Sequence, residues 1–332
     1  MNPDSTSGPH MPVVVPPWGG VNTNFTPPAM DQFAGKFSIM TTLKGHFLTA
    51  VKGGGQTTDV IHTDGDLPQA WETFTFSVDS ATGQFFGFQT INGEFISAND
   101  GGGLTTHTIF TTAQSVGPLG WELFTLVPQL APFDFAIQTV RGFFLTAVGG
   151  GGHNSGDTIH TDALTADSWE RFVLFRRGDL GTGSTYGIVS AGVGHTTWNE
   201  GPFLTAVNGG GEPGPDGVID PNYPPIPFWI SWTPLNQYDG TYALQTSSGN
   251  VLTANLGGVP GAGFRTDRGI GQIGDFEKFT LVDDGFFTVL IKTHVGTFIS
   301  DVVDNMGRQR TMTVDDATQA TRWRFQVFNL NS

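Results

Sequence analysis

From about residue 36 onward the chain is filled by short runs in which apolar and polar residues alternate, as in Phe74-Thr75-Phe76. Alternation with a period of two is the mark of a half-buried strand, one face in a core and the other in solvent. Gly-rich or Asp/Gly turns separate the runs. The pattern predicts four strands in the first stretch, near Phe37 to Thr42, Phe47 to Val51, Val60 to Thr63 and Phe74 to Val78.

The same stretch recurs. Gly45-His46-Phe47-Leu48-Thr49-Ala50-Val51 before Gly53 to Gly55 returns as Gly142 to Val148 before Gly149 to Gly152, and as Gly201 to Val207 before Gly209 to Gly211. Weaker copies begin at Gly93, Gly249 and Gly296. The anchor positions 47, 95, 144, 203, 251 and 298 are spaced by 48, 49, 59, 48 and 47 residues, the long gap being a Pro-rich insertion from Glu212 to Pro227. Each copy closes on a second landmark: Trp71-Glu72-Thr73-Phe74, Trp121-Glu122-Leu123-Phe124, Trp169-Glu170-Arg171-Phe172, Trp229-Ile230-Ser231-Trp232, Phe276-Glu277-Lys278-Phe279 and a shifted Trp323-Arg324-Phe325. The Trp-Glu-x-Phe aromatics, Trp169 among them, are expected in the core because they recur with the repeat.

Six four-stranded units can close as one six-bladed propeller or as two barrels of three units. The first three copies share Trp-Glu-x-Phe, the last three diverge, and a turn-rich joint at Gly178 to Ser184 lies between them. That grouping favours residues 36–178 and 179–332 as two domains. Residues 1–35 hold seven prolines and no periodic pattern, and are expected to be a flexible leader.

Composition narrows the partners. The chain has 332 residues with 47 Gly, 20 Pro and a net charge of −15, which excludes a coiled coil or long helical array. Both halves are acidic, with 7 basic against 13 acidic residues in 36–178 and 8 against 15 in 179–332. Nucleic acid and anionic membranes are bound largely through clustered Lys and Arg, so neither is an expected partner. No cysteine is present, which removes disulfides and thiol chemistry. No apolar run is long enough for a spanning helix, and no signal peptide is expected in the chain as written; the compartment stays open.

The cycle of apolar strand, Gly-x-Phe-Leu-Thr-Ala, glycine triplet, short strand and Trp-Glu-x-Phe resembles the fascin-like β-trefoil family over residues 36 to 329. The resemblance implies an all-β chain of two tandem β-trefoil domains, each a six-stranded barrel capped by three hairpins, and it brings actin-filament cross-linking as one function to weigh. Ricin-type trefoil lectins mark their repeats with Gln-x-Trp, which here occurs only at Gln69-Ala70-Trp71.

A residue repeated in every unit is first a scaffold residue, since an active site needs its groups once. Glu72, Glu122, Glu170 and Glu277 are therefore expected to make turn and backbone hydrogen bonds. The Thr of His62-Thr63-Asp64 and His160-Thr161-Asp162 is the constant position, with Thr111 and Thr266 its counterparts, and is expected to be structural. The glycine triplets lack the following helix and lysine of a phosphate loop, so they are expected to supply positive φ and leave bare backbone close to a docked ligand. No Gly-x-Ser-x-Gly elbow or His-x-x-x-His pair occurs, and neither enzymatic activity, a metal site nor a cofactor is expected.

Variable loops on a repeating scaffold are where binding concentrates. The fillings Gln56 to Asp59, His153 to Asp157 and Glu212 to Asp220 differ most, and Asp59, His62, Asp64, Asp157, His160 and Asp162 are the candidate ligand-binding residues. Uncharged hydrogen bonding with aromatic stacking favours a glycan or polysaccharide. Actin filaments, and a structural or adhesion module without a small ligand, are the alternatives; the acidic charge weighs against actin.

Overall fold

The computed structural model describes residues 35–79, 85–117, 120–131, 133–177, 180, 184–191, 203–213, 227–284, 288–303 and 309–327. The expected leader, most of the joint at 178–184 and most of the insertion lie outside these residues.

The first three repeats supply twelve strands. Repeat one holds β1 (Gly35–Thr41), β2 (Phe47–Ala50), β3 (Ile61–Gly65) and β4 (Phe74–Val78). Repeat two holds β5 (Phe86–Gln89), β6 (Phe95–Ala98), β7 (Ile109–Ala113) and β8 (Leu123–Pro128). Repeat three holds β9 (Asp134–Thr139), β10 (Phe144–Ala147), β11 (Ile159–Ala163) and β12 (Arg171–Arg177).

The outer strands of each repeat close a ring. β1 pairs with β4, β4 with β5, β5 with β8, β8 with β9, β9 with β12 and β12 with β1, all antiparallel. Closure removes the unpaired edges that an open sheet would expose. The inner strands form the hairpins β2–β3, β6–β7 and β10–β11. Alternation directs Phe37, Phe76, Phe88 and Phe124 from four ring strands inward, with successive ring centroids 4.7, 4.4 and 5.0 Å apart.

The second half repeats the pairing. Its strands are β13 (Tyr186–Ser190), β14 (Ser231–Asn236), β15 (Tyr242–Thr246), β16 (Asn250–Ala254), β17 (Phe264–Gly269), β18 (Thr280–Asp283), β19 (Val289–Lys292), β20 (Phe298–Val303), β21 (Gln309–Val314) and β22 (Trp323–Val327). β13–β14, β14–β15, β18–β19, β19–β22 and β22–β13 are paired, and a Tyr242–Phe279 bridge joins β15 to the start of β18. β16–β17 and β20–β21 are hairpins.

The two halves meet over an apolar seam. Met40, Phe47, Phe133, Val173 and Phe175 pack with Val189, Ile230 and Phe203, and Phe133 stacks on Phe203 at 5.1 Å. Phe175 of β12 also pairs with Gln326 of β22. Among the described residues no helix is long and apolar enough to cross a membrane.

One expectation fails. The tryptophans of Trp-Glu-x-Phe are not core: Trp71, Trp121 and Trp169 are 47%, 41% and 45% exposed, while Phe74, Phe124 and Phe172 at the end of the motif are fully buried. The strand begins at the Phe in β4 and one residue before it in β8 and β12, after the Trp in each case. The Trp precedes it in a turn, where no pleat forces it inward.

Candidate functional site

The locks between repeats determine what remains free for a ligand. The constant threonines are buried and accept backbone hydrogen bonds from the loop of a neighbouring repeat: Gln56 N–H donates to Thr111 Oγ1 at 3.0 Å, Leu104 N–H to Thr161 Oγ1 at 3.2 Å and His153 N–H to Thr63 Oγ1 at 3.3 Å. The three bonds run from repeat one to two, two to three and three back to one. Gly211 N–H to Thr266 Oγ1 and Ala262 N–H to Thr313 Oγ1 continue the scheme in the second half, at 3.2 and 3.0 Å. The structural reading of these threonines stands.

The glycine triplets serve the same seam. Gly53 and Gly54 are buried beneath the turn that opens repeat two, and a Cβ at Gly54 would stand 2.4 Å from Thr90 Oγ1. Gly102 and Gly151 meet Thr139 and Thr41 in the same way. For the inner glycines the expectation that this backbone lies open to a flat ligand is therefore corrected: their close approach is to the next repeat, because ring closure presses each loop against its neighbour. What remains exposed is the last glycine of each run, Gly55, Gly103 and Gly152, and the filling beyond it, from Thr57 to Asp59 and from His153 to Asp157.

The motif glutamates are scaffold too. Glu72 accepts from Thr49 Oγ1 and from the Gln69 N–H, both at 2.7 Å, and Glu122 accepts from Ser97 Oγ at 3.1 Å. Glu170 and Glu277 accept the N–H of Asp167 and Gly274, both at 2.8 Å, closing short turns. These bonds hold the Trp turn against the hairpin. Ala50 N–H and Ala98 N–H donate to the Trp71 and Trp121 carbonyls at 2.8 Å, so each ring projects from a fixed backbone.

Of the six candidate residues, the structure brings two together. His62 Nε2 lies 3.0 Å from Asp59 Oδ1, and the same oxygen accepts the Gly156 N–H of repeat three at 3.1 Å. Asp59, held at a φ of 52°, thus joins its own strand to a loop nearly a hundred residues away. Asp157 and Asp162 are exposed, and Asp64 and His160 are partly so. His160 sits on β11, whose Thr161 receives the loop of repeat two, so the two His-Thr-Asp motifs face different neighbours. Among the described residues no group of three His, Asp or Glu side chains is arranged to hold a metal ion. The Glu212 to Asp220 loop lies mostly outside the described residues.

Sequence reasoning missed the three tryptophans as surface groups. The available signal was their place outside the alternating run. β2 separates Trp71 from His62: Ala50 bonds the Trp71 carbonyl on one side and pairs with Ile61 on the other. Each of the first three repeats thus offers a half-exposed indole beside a polar hairpin.

No family model matches the chain, and no curated protein does. Among solved structures, a mosquitocidal holotoxin is 11% identical over 89% of this chain with a TM-score of 0.38, and the chain spans 34% of its length. A Polyporus squamosus lectin is 20% identical over 45% of this chain and 50% of its own, with a TM-score of 0.35. A protein described as the BEL β-trefoil is 14% identical over 44% of this chain and 94% of its own, with a TM-score of 0.34.

Proposed function

We propose that the chain is a non-enzymatic, lectin-like protein of two β-trefoils in tandem, kin to the fascin-like trefoils, that binds polysaccharide through its first half. The observation that carries this reading is the triplet of half-exposed tryptophans, Trp71, Trp121 and Trp169, at equivalent positions of three repeats closed into one ring. An indole fixed by its backbone offers a flat apolar face to the C–H face of a sugar, and Asp59, His62, His160 and their neighbours supply hydrogen bonds to hydroxyls. Weak sites related by a three-fold axis suit a polymer whose units repeat, since each engagement raises the effective concentration for the next. The net charge of −15 works against the actin alternative, because an acidic filament would be repelled.

Replacing the three tryptophans together by Ala is expected to abolish retention on a polysaccharide column while leaving a protein that still unfolds cooperatively, at a stability cost of about 1 kcal/mol or less per indole. A glycan array identifies the column material. Retention unaltered in the triple variant would show that the indoles are not the platform.

The tandem arrangement is supported by the two rings of paired strands. Residues 36–178 expressed alone are expected to unfold cooperatively, with solubility reduced by the exposed seam around Phe133 and Phe175. A fragment without cooperative unfolding would make the two rings one folding unit.

A further inference from the structure

The second half carries a cleft of about 300 Å³ that belongs to none of the features above. Asp239 and Thr241 from the turn between β14 and β15 form one wall. Lys278, Thr280 and Val282, two residues apart and so on one face of the chain, form the floor. Lys292, directly opposite Thr280 in the β18–β19 register, and His294 complete it, with Asp275 at the rim. A volume of about 300 Å³ is at the lower end for small-ligand sites, the size of a sugar rather than of a small inorganic ion.

The charges in the cleft are partly matched. Lys278 Nζ donates to Asp239 Oδ2 at 2.7 Å, and Thr241 donates to Asp239 Oδ1 through both its N–H and its hydroxyl. His294 Nε2 stands 3.8 Å from Asp275 Oδ2. The hydrogen bond from Lys278, followed by that from Thr241, holds the Asp239 carboxyl down at about 2, so it is a permanent acceptor at neutral pH. Lys292 is different. Among the described residues its ammonium has no hydrogen bond or ion pair, and the Thr280 hydroxyl beside it has none either.

We propose that this cleft is a second saccharide site, selective for a sugar that bears a carboxylate. Lys292 takes the carboxylate, Thr280, Asp239 and Asp275 take ring hydroxyls, and Val282 lies under the apolar face. A bare inorganic anion would meet Lys292 but also two carboxylates whose acceptor oxygens it cannot satisfy. A uronic acid carries one negative charge for the ammonium and several hydroxyl donors for the carboxylates, which matches the walls group by group. The ligand class rests on the reading of the chain as a glycan binder.

The test is calorimetric titration of the full chain with digalacturonic acid, its dimethyl ester and inorganic phosphate. The acid is expected to bind at least tenfold more tightly than the ester. Lys292→Gln should erase that difference without moving the unfolding temperature, and Lys292→Arg should keep it. Equal binding of acid and ester, a preference that survives Lys292→Gln, phosphate binding as tight as that of the acid, or no binding of the acid at all would each overturn the proposal. If the chain still binds neutral polysaccharide through Trp71, Trp121 and Trp169, only the cleft assignment fails; if it binds neither, the lectin reading fails with it.

Discussion

Trp232→Ala is expected to lower the stability of the protein by about 3–5 kcal/mol, and Trp169→Ala by about 1 kcal/mol or less. The two residues stand at opposite ends of the same four-residue motif: Trp169 opens its copy, whereas Trp232 closes its own at the position that Phe172 holds in repeat three. Trp232 is fully buried and its Nε1–H donates to the Leu204 carbonyl at 2.7 Å. Truncation there empties a large volume and leaves a buried acceptor unpaired. Trp323 is its counterpart in the last repeat, donating to the Ile299 carbonyl at 3.1 Å. Trp169 is 45% exposed, so its ring exchanges protein contact for water it already meets. Urea titration of the two single variants measures the difference; similar losses would mean that the indole of repeat three supports the fold and is not free to stack on a ligand.

The second large effect is expected at a glycine. Gly54 has φ 118° and ψ −170°, a conformation that residues with a side chain rarely adopt. A Cβ there would also stand 2.4 Å from Thr90 Oγ1 and 2.9 Å from Glu94 Oε2. Backbone strain of about 1–3 kcal/mol and overpacking of about 1–3 kcal/mol act together, so Gly54→Ala is expected to cost about 2–6 kcal/mol. Adding Thr90→Ala should recover most of the overpacking part alone, because it removes the 2.4 Å contact and not the dihedral strain, while the Glu94 carboxylate at 2.9 Å is the end of a flexible side chain that can give way. Gly156 is the control: its φ is 79° but nothing lies within 4 Å of an added Cβ, so Gly156→Ala should show a loss of about 1 kcal/mol from strain without a clash. Thermal or urea unfolding of the three variants, with Thr90→Ala alone as reference, checks the scheme, and a double variant no more stable than Gly54→Ala would place the whole cost in the backbone.

Much of the scaffold was legible because its causes are local. The first-repeat strands fall at 35–41, 47–50, 61–65 and 74–78, within two residues of where alternation predicts them at every boundary, since the pleat reports burial residue by residue. The constant Thr and the motif Glu were readable as scaffold from their recurrence, and Thr63, Thr111 and Glu72 make the bonds that role requires. The candidate site was legible only in fragments. Asp59 and His62 are three apart and meet as a local pair, whereas the Gly156 N–H that completes their contact belongs to another repeat.

The sequence by itself determined the repeat period, the strand faces and which positions are scaffold, because each follows from alternation or recurrence along the chain. Only the tertiary structure decided which aromatic of Trp-Glu-x-Phe faces the core, what the glycine triplets press against, and that Asp239, Lys278 and Lys292 line one cleft. Those outcomes depend on which strands meet when the ring closes. Closure joins residues far apart in the chain, 55 positions for Gln56 and Thr111 and 141 for Lys36 and Arg177. No local pattern encodes such a partner, since the same alternation is satisfied by any ring that buries the same face.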